Sequence, residues 1–390
     1  MKKGWKIVKL PDLAKSIFAG GDVDKNNLSE VKTEEYPYPI YTNGETNDGL
    51  YGYTSIFRVN EPAITVSARG TIGFTCLRKE PYYPAVRLIN IIPKENVNIN
   101  YLNYFIKSKT VTSSGASIPQ LTVPMVKEFD IGIPESPEEQ QTIVAKLDQA
   151  FAAIDQAKAN IETNISNAKE LFQSKLNQIF SQKGEGWEEK KLGEISKINY
   201  GYTEKAVFEN IGPKYLRITD LTEKGVNWES VPHCKISKDE IIKYELQKGD
   251  IVFARTGATT GKSYLFDDDV FSVFASYLIR LKVINKNEIL PEFIYLFFQS
   301  GNYWKEINAG ISGSAQGGFN ASKLSDLKLS YPLDSNIQKK IVTDFDVVLS
   351  QTNLLVTKYK QKLANLEELK KSILEKAFKG ELSTAAIEKV

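Results

Sequence analysis

Two stretches of the chain carry apolar residues at steps of three, four or seven, the spacing that aligns side chains along one seam of an α-helix. They span residues 136–183 and 335–379. The seam of the first consists of Leu147, Phe151, Ile154, Ile161, Ile165, Ala168, Phe172 and Ile179. The seam of the second consists of Phe345, Val348, Leu355, Tyr359, Leu366, Leu369 and Ile373. The first helix would be on the order of 70 Å long, and so narrow a seam on so long a helix predicts a partner helix.

Both stretches also carry the signals that begin and end a helix. Ser136 and Glu139 have the spacing of a capping box at the first helix, and Ser335 and Gln338 have it at the second. A glycine suited to a left-handed cap follows each stretch, at Gly184 and Gly380. Two capped copies in one chain predict an intramolecular antiparallel coiled coil. The alternative interpretation is that each is a long helix within an ordinary α-helical core.

Each predicted helix follows a β-rich segment with regular turn signals. In the first segment these signals are Asn43-Gly44, Asp48-Gly49 and Arg69-Gly70. Runs in the second segment are similar to runs in the first: DIVFARTGATTGKSYLF corresponds to ITVSARGTIGFT, and PEFIYLFFQSGNYW corresponds to INYLNYFIKS. The repeat predicts an internal duplication of a mixed α/β domain, and hence an α+β protein. The predicted boundaries are 1–135 and 185–332 for the two domains, and 136–184 and 333–390 for the two helical regions.

Composition and charge exclude several classes of protein. The hydrophobic fraction of 42% and the charged fraction of 25% are those of a globular protein, and no apolar run approaches membrane-spanning length. Cys76 and Cys234 are the only cysteines, which excludes a disulfide framework and predicts a cytoplasmic location. His233 is the only histidine, which argues against a zinc site and a histidine-dependent triad. With a net charge of +2, any charge that binds nucleic acid must be local.

Several segments of the chain resemble the specificity subunits of type I restriction–modification systems, and the resemblance covers essentially the whole chain. The most specific segments are YLRITDL at residues 215–221, GDIVFARTGATTGK at residues 249–262 and GSAQ at residues 313–316. In the first half, IPESPEEQQ at residues 133–141 resembles the proline-rich lead into the family's helix, which ends in Glu-Gln. The second half departs from this lead, because YPLDSNIQ keeps one proline and the glutamine but lacks the glutamate.

The resemblance implies two target-recognition domains separated by two long helices, with a pseudo-two-fold internal duplication. It implies that the chain binds double-stranded DNA at an asymmetric bipartite target, with one half-site for each domain. It further implies two modification subunits that use S-adenosylmethionine, joined by restriction subunits that use ATP and Mg²⁺. Adenine methylation and DNA cleavage would belong to those partners, so this chain is expected to be non-catalytic and to bind no cofactor itself.

The residues themselves agree with the absence of catalytic chemistry. The segment TGATTGKS at residues 256–263 resembles a phosphate-binding loop, but Gly257 is one residue too close to Gly261 for that motif. Its counterpart in the first half lacks the lysine. No glycine-rich cofactor loop and no methyltransferase motif is present in the sequence.

Recognition of DNA sequence needs phosphate contacts that fix the register and a few side chains that discriminate between bases. Arginine prefers guanine, and the chain has seven arginines: Arg58, Arg69, Arg78, Arg87, Arg217, Arg255 and Arg280. Arg69 and Arg255 lie in matching glycine-rich turns, where a backbone can approach DNA closely. The predicted DNA-binding residues are Arg69, Thr71, Arg217, Arg255, Thr256, Thr259 and Lys262. For any single arginine, the alternative is a surface salt bridge.

Two further interpretations remain at the level of the sequence. The polar stretches 113–115 and 312–316 are weaker candidates for DNA contact, and they can equally shape the junction between domain and helix. The chain as a whole can also be interpreted as a coiled-coil scaffold whose two globular heads bind protein. A DNA-binding protein should present cationic groups on both heads, whereas a scaffold should present apolar patches there.

Overall fold

The computed structural model of the chain describes residues 4–113, 120–182, 184–222, 225–312 and 318–382. Its contacts divide the chain into two units. Unit 1 comprises Met1–Glu162 with Tyr359–Val390, and unit 2 comprises Thr163–Lys358. Each unit therefore combines one globular segment with a part of each long helix. The division at 1–135, 136–184, 185–332 and 333–390 stays a prediction.

Unit 1 is built around a four-stranded antiparallel sheet. Its elements are, in order, β1 (Trp5–Lys9), α1 (Leu10–Leu13), β2 (Ala14–Ala19), β3 (Tyr38–Tyr41), β4 (Leu50–Thr54), β5 (Ala63–Val66), β6 (Thr75–Arg78), β7 (Tyr83–Pro84), β8 (Ile89–Pro93), α2 (Ile99–Ser113), α3 (Val123–Lys127), β9 (Asp130–Pro134) and the first part of α4 (Pro137–Phe180). The strand order is β2-β8-β5-β6 in the main sheet and β4-β3-β7 in a smaller sheet, while β1 pairs with β9. Strands β5 and β8 are buried, apolar runs, which places them at the centre of the sheet.

Unit 2 repeats this plan. Its elements are the rest of α4, then β10 (Trp187–Lys191), α5 (Leu192–Ile195), β11 (Ser196–Tyr200), β12 (Lys214–Leu216), α6 (Lys238–Tyr244), β13 (Asp250–Ala254), β14 (Ser263–Phe266), β15 (Ser272–Phe274), β16 (Leu278–Val283), α7 (Pro291–Phe297), α8 (Gly301–Ser312), α9 (Ala321–Asp326), β17 (Lys328–Pro332) and the first part of α10 (Ser335–Phe378). The main sheet has the order β11-β16-β13-β14, and β10 pairs with β17. The repeated sheet order confirms the internal duplication and the α+β class.

The long helices α4 and α10 each have 44 residues and pack on each other within both units. In unit 1 the first part of α4 meets the last part of α10, where Leu147, Ile154 and Leu374 share one hydrophobic core. In unit 2 the last part of α4 meets the first part of α10, and the rings of Phe172 and Phe345 lie 5.8 Å apart, edge to face. This pairing of opposite ends is antiparallel and confirms the predicted coiled coil.

One position of the predicted seam is wrong. Leu355 is 40% exposed, and Leu354 beside it is 56% exposed. The half-buried residues in this part of α10 are Thr352, Val356 and Tyr359, so the buried stripe passes through Val356. Leu355 and Val356 are adjacent, and both are compatible with steps of three or four, so spacing alone did not separate them.

The helix caps differ in part from the predicted boxes. Ser136 Oγ accepts a hydrogen bond from the Glu139 N–H, as predicted, and the Glu139 carboxylate accepts one from Trp5 Nε1. At α10 the box of Ser335 and Gln338 is wrong. Asp334 supplies the capping oxygen, because its carboxylate accepts a hydrogen bond from the N–H of Asn336. The C-terminal cap of α10 is as expected, with Gly380 at a φ of +75°, whereas Lys183 at the predicted end of α4 lies outside the described residues.

Candidate nucleic-acid interface

The predicted DNA-binding turn occurs in both units, between the third and fourth strands of the main sheet. In unit 1 it joins β5 to β6, and in unit 2 it joins β13 to β14. Gly70 and Gly257 have φ angles of +69° and +74°, in the left-handed region that favours glycine. The glycines therefore explain why the chain can reverse so tightly at the edge of each sheet.

The two arginines lie in equivalent turns but at positions that differ by one residue. The carbonyl of Ala68 accepts a hydrogen bond from the N–H of Leu121, at 3.0 Å, and that of Arg255 accepts the corresponding bond from Phe319, at 2.9 Å. Arg255 thus corresponds to Ala68, and Thr256 corresponds to Arg69. Both turns contain the dipeptide Ala-Arg, which suggested that Arg69 and Arg255 are equivalent, but the backbone hydrogen bonds show that they are not. The two units present different side chains at the same point of the turn.

Arg69 is exposed and directs its guanidinium group toward the carboxamide of Gln120. Its Nε and Nη2 atoms donate to Gln120 Oε1 at 3.2 and 3.0 Å. A second exposed arginine, Arg87, donates to the same oxygen from Nη1 at 3.1 Å. Arg87 is not among the residues predicted from the sequence to bind DNA, because no glycine-rich turn or repeated segment distinguishes it there. Only its place in the turn after β7 brings it to Arg69.

A network of hydrogen bonds holds these turns of unit 1 together. The Asn43 carboxamide accepts from the N–H of Ala68, at 2.7 Å, and donates to the carbonyl of Val86, at 3.0 Å. Ser67 Oγ accepts from the N–H of Gly44, at 3.1 Å. One asparagine side chain therefore joins the turn that carries Arg69 to the turn that carries Arg87. The predicted turn at Asn43-Gly44 has this structural role.

Thr71 is less favourably placed for contact with DNA. Its hydroxyl oxygen is shielded from solvent and has no hydrogen-bond partner among the described residues. Contact with a phosphate would require the turn to open locally. The role of Thr71 in DNA binding stays a prediction.

In unit 2, Arg255 is half-buried and lies against an aromatic ring. Its guanidinium carbon is 4.7 Å from the centre of the Tyr200 ring, and its Nη1 donates to the carbonyl of Ser276 at 3.4 Å. Tyr200 is itself fixed, because its hydroxyl accepts a hydrogen bond from the N–H of Ala321. Stacking on an aromatic face orients an arginine while leaving part of its N–H fork available.

The other predicted residues of this turn are half-buried. Thr256 precedes a short 3₁₀ turn at Gly257–Thr259, and the carbonyl of Thr259 accepts from the N–H of Lys262 at 2.9 Å. Lys262 lines a cavity of about 360 Å³ together with Tyr264 and Trp304. The structure thus brings Arg255, Thr256, Thr259 and Lys262 to one turn. Their contact with DNA stays a prediction.

Arg217 lies outside this turn and is engaged by a neighbour. Its Nε and Nη2 atoms donate to the two carboxylate oxygens of Asp220, at 3.0 and 2.8 Å. These hydrogen bonds raise the pKa of Arg217. The bidentate pair stabilises the 3₁₀ turn at Ile218–Asp220. This gives the residue a structural role, and its contact with DNA stays a prediction.

Two of the remaining arginines are structural. Arg78 is 6% exposed, donates to Thr65 Oγ1 and stacks on the Tyr41 ring, with its guanidinium carbon 3.6 Å from the ring centre. Arg280 is 8% exposed and lies 3.5 Å from the carboxylate of Asp250. Burial lowers the pKa of Arg280 and raises that of Asp250. Neither arginine is accessible to a macromolecule.

The remaining candidates can be placed only in part. Side chains in the stretches 113–115 and 312–316, and the segment GSAQ at residues 313–316, lie outside the described residues. Within the part of the chain that is described, no group of three or more His, Cys, Asp or Glu side chains is arranged to hold a metal ion. No helix in that same part is both long and apolar enough to cross a membrane.

The family described as "Type I restriction modification DNA specificity domain" matches the chain twice, over residues 2–167 and 184–365. The chain belongs to this family of specificity domains. The two matches fall on the two halves that the sheet topology shows to be duplicated, so the structural repeat and the family repeat coincide.

Individual specificity subunits are similar to this chain over different lengths. That of the type I restriction enzyme MjaIX from Methanocaldococcus jannaschii is 25% identical over 425 aligned positions, which cover 97% of this chain and 94% of the relative. A Mycoplasma pneumoniae protein described as a type I specificity subunit is 38% identical over 176 residues, 45% of this chain and 48% of the relative. A second one is 34% identical over 183 residues, 46% of this chain and 54% of the relative. The chain thus spans about half the length of these two relatives.

Solved structures show the same fold. The HsdS subunit from Thermoanaerobacter tengcongensis matches with a TM-score of 0.61 at 17% identity, and the match covers 98% of both chains. A chain from a study of complex assembly and conformational transition in a type I R-M system matches with a TM-score of 0.76, also at 17% identity, over 98% of this chain and 99% of the other. At this identity the likeness concerns the fold of the specificity-domain family.

Proposed function

We propose that this chain is the DNA-recognition subunit of a type I restriction–modification complex and that each unit recognises one half of an asymmetric, bipartite target. The observation that carries the proposal is the repeated turn beyond β5 and β13. It has the same glycine conformation in both units, but Arg69 occupies one copy at the position that Thr256 occupies in the other. Because the two turns share a backbone conformation but carry different side chains, the two units can recognise half-sites of different sequence.

Recognition would combine two kinds of contact. Arginine side chains at base edges supply discrimination, while hydroxyl and ammonium groups on phosphates fix the register. In unit 2 we assign discrimination to Arg255 and phosphate contact to Thr256, Thr259 and Lys262. The tyrosine ring beneath Arg255 limits the directions in which its N–H groups can point. Such restriction favours a defined base over a diffuse electrostatic contact.

Catalysis would belong to other chains. In this proposal two modification subunits bind S-adenosylmethionine and methylate adenine, and restriction subunits use ATP and Mg²⁺ to cleave DNA. The names of the similar proteins support this assignment, since they are specificity subunits of type I systems. In this proposal the present chain recognises the target sequence and carries out no covalent step. The alternative of a protein-binding scaffold finds no support in the family match.

The proposal can be tested by selection of target DNA. The chain is reconstituted with its modification subunits, and the complex selects from a pool of random duplexes while methylated positions are mapped by sequencing. We expect two short specified blocks of different sequence, separated by an unspecified spacer. The matched control is the modification subunits alone, which should show no preference. A single continuous palindrome, or no enrichment at all, would contradict the proposal.

A further inference from the structure

We propose that Arg69 and Arg87 form a guanine-recognition site in unit 1, and that Gln120 is the positioning residue that orders both side chains before DNA is bound. The inference rests on the proposed function and specifies the base that one half-site must contain. Its starting point is an unusual arrangement: two guanidinium groups donate hydrogen bonds to a single neutral oxygen, Gln120 Oε1.

The charges of this cluster call for an electron-rich ligand. The donor–acceptor distances of 3.0 and 3.1 Å keep Arg69 Nη2 and Arg87 Nη1 within about 6 Å of each other. Among the described residues neither arginine forms an ion pair with a carboxylate. Two cations held together by an amide retain unused N–H donors and mutual repulsion, and a ligand with acceptor atoms relieves both.

The backbone at Arg87 supports a functional role. Its φ is +67°, a left-handed conformation that arginine rarely adopts and that glycine or asparagine would adopt at lower cost. The turn itself does not require this conformation, because the equivalent turn of unit 2 has the same hydrogen bond, from the N–H of Leu278 to the carbonyl of Ala275, and Tyr277 there has no positive φ. A residue that only closed the turn would be better as glycine. We therefore infer that arginine is kept at this strained position because its side chain has a function.

The second unit shows that the cluster is not a requirement of the fold. The positions that correspond to Arg69 and Arg87 in the backbone hydrogen-bond pattern are Thr256 and Tyr277. The position that corresponds to Gln120, directly before Leu121, is Gly318 directly before Phe319. The same fold therefore forms without the cluster, so its three side chains are available for a specific task in unit 1.

Guanine is the base that this arrangement fits. In the major groove guanine presents two acceptors, O6 and N7, to the fork of an arginine, whereas adenine presents one acceptor beside a donor. Two adjacent arginines suit two neighbouring guanines, one for each guanidinium group. Gln120, which accepts from both arginines in the unbound protein, would hold them extended and limit the conformational freedom lost on binding.

The principal test uses Arg87→Gly in the full chain, assembled with the modification subunits. Glycine suits the positive φ, so the variant should fold and assemble like the wild type. We expect the selected target to lose its preference for guanine at one position of one half-site, with binding of the original duplex about 5- to 150-fold weaker. The other half-site should be unchanged. The matched control is Arg58→Ala, an exposed arginine of the same unit that lies over the Phe18 ring and does not contact Gln120.

A chemical probe identifies the contacted atom. Replacement of that guanine by 7-deazaguanine, which lacks the N7 acceptor, should weaken binding of the wild-type complex but cause no further loss in Arg87→Gly. Arg87→Lys keeps the charge without the planar fork and should weaken the preference for guanine, while the salt dependence of binding stays close to that of the wild type. Gln120→Ala should keep the target sequence but bind it more weakly.

The outcomes separate this inference from the proposed function. If Arg87→Gly weakens binding to every duplex equally, Arg87 contacts phosphate and the guanine site is wrong. If Arg87→Gly selects the same target with the same affinity as the wild type, the site is also wrong, although the chain still recognises DNA. If the wild-type complex selects no sequence, the proposed function itself fails.

Discussion

The carboxamides of Gln140 and Gln338 bind corresponding backbone groups in the two units. Each lies near the start of a long helix, accepts a hydrogen bond from a backbone N–H and donates one to the proline carbonyl at the end of the preceding strand. The contacts are Asn98 N to Gln140 at 3.1 Å, Gln140 to Pro134 at 3.2 Å, Leu290 N to Gln338 at 2.9 Å and Gln338 to Pro332 at 2.7 Å. In each half, the glutamine of the segment that precedes the long helix thus connects a strand, a loop and the helix.

We expect Gln338→Leu to destabilise the chain, because it leaves the Leu290 N–H and the carbonyls of Glu288 and Pro332 without their partner. Each buried group that loses its hydrogen bond costs about 1–3 kcal/mol. Urea unfolding should show the midpoint falling at an unchanged slope. Gln361→Leu is the control, since Gln361 is exposed on the same helix and donates its hydrogen bond to the exposed Asn365. Equal stability of the two variants would contradict the assigned role.

Helix packing in unit 2 can be tested with one substitution at two sites. Leu176 and Leu171 lie on the same part of α4, but Leu176 is 0% exposed and Leu171 is 59% exposed. Leu176→Ala should lower the free energy of unfolding by about 2–5 kcal/mol because it leaves a cavity. Leu171→Ala should change it by less than about 0.5 kcal/mol. Chemical denaturation of both variants checks this, and a comparable loss in both would mean that the seam is misplaced.

The thiol of Cys234 predicts a pH dependence. The side chain is 0% exposed, and burial raises its pKa from 9.0 to about 11. As the pH rises, the thiol ionises first in the unfolded chain, which stabilises the unfolded state. The contribution of Cys234 is therefore complete below pH 9 and is lost as the pH approaches 11, by at most about 3 kcal/mol.

The measurement compares Cys76→Ser with the double variant Cys76→Ser and Cys234→Ala, so that only one thiol differs. Between pH 8 and pH 10.5 the free energy of unfolding should decrease more for the single variant than for the double variant. Iodoacetamide should also modify Cys234 slowly in the folded protein and rapidly in denaturant. Rapid modification of the folded protein at pH 8 would show that the thiol is not buried.

The DNA contact proposed for Arg255 predicts an effect on the half-site of unit 2 only. Arg255→Ala should reduce binding by about 1–3 kcal/mol through the half-site of unit 2 and leave the other half-site unaffected. The measurement is a titration of the assembled complex with duplexes altered in one half-site at a time. An identical loss on every duplex would indicate a phosphate contact. No loss would show that the arginine only packs on Tyr200.

A contrasting result is expected for Arg217. Its removal leaves the carboxylate of Asp220, whose side chain is 9% exposed, without its bidentate partner. Arg217→Ala should therefore lower thermal stability, by about 1–3 kcal/mol, with no change in the selected target. A variant of normal stability with an altered target would instead establish Arg217 as a DNA contact.

The sequence by itself determined the features that depend on local patterns. Steps of three and four predicted the two long helices and most of the seam, because a helix repeats every 3.6 residues, and the presence of two capped copies in one chain predicted their antiparallel pairing. Matching runs in the two halves predicted the duplication and the equivalent turns, since glycine at Gly70 and Gly257 serves the same backbone conformation. Resemblance in these segments led to the family that the comparison then confirmed.

The tertiary structure decided which side chains are available and which are committed. Arg78 and Arg280 are ordinary arginines in the sequence, but strand pairing buries both. Arg69 and Arg87 are 18 positions apart in the sequence, and in the folded chain both donate hydrogen bonds to Gln120. Such contacts depend on how strands and turns meet in space, and no local pattern encodes that.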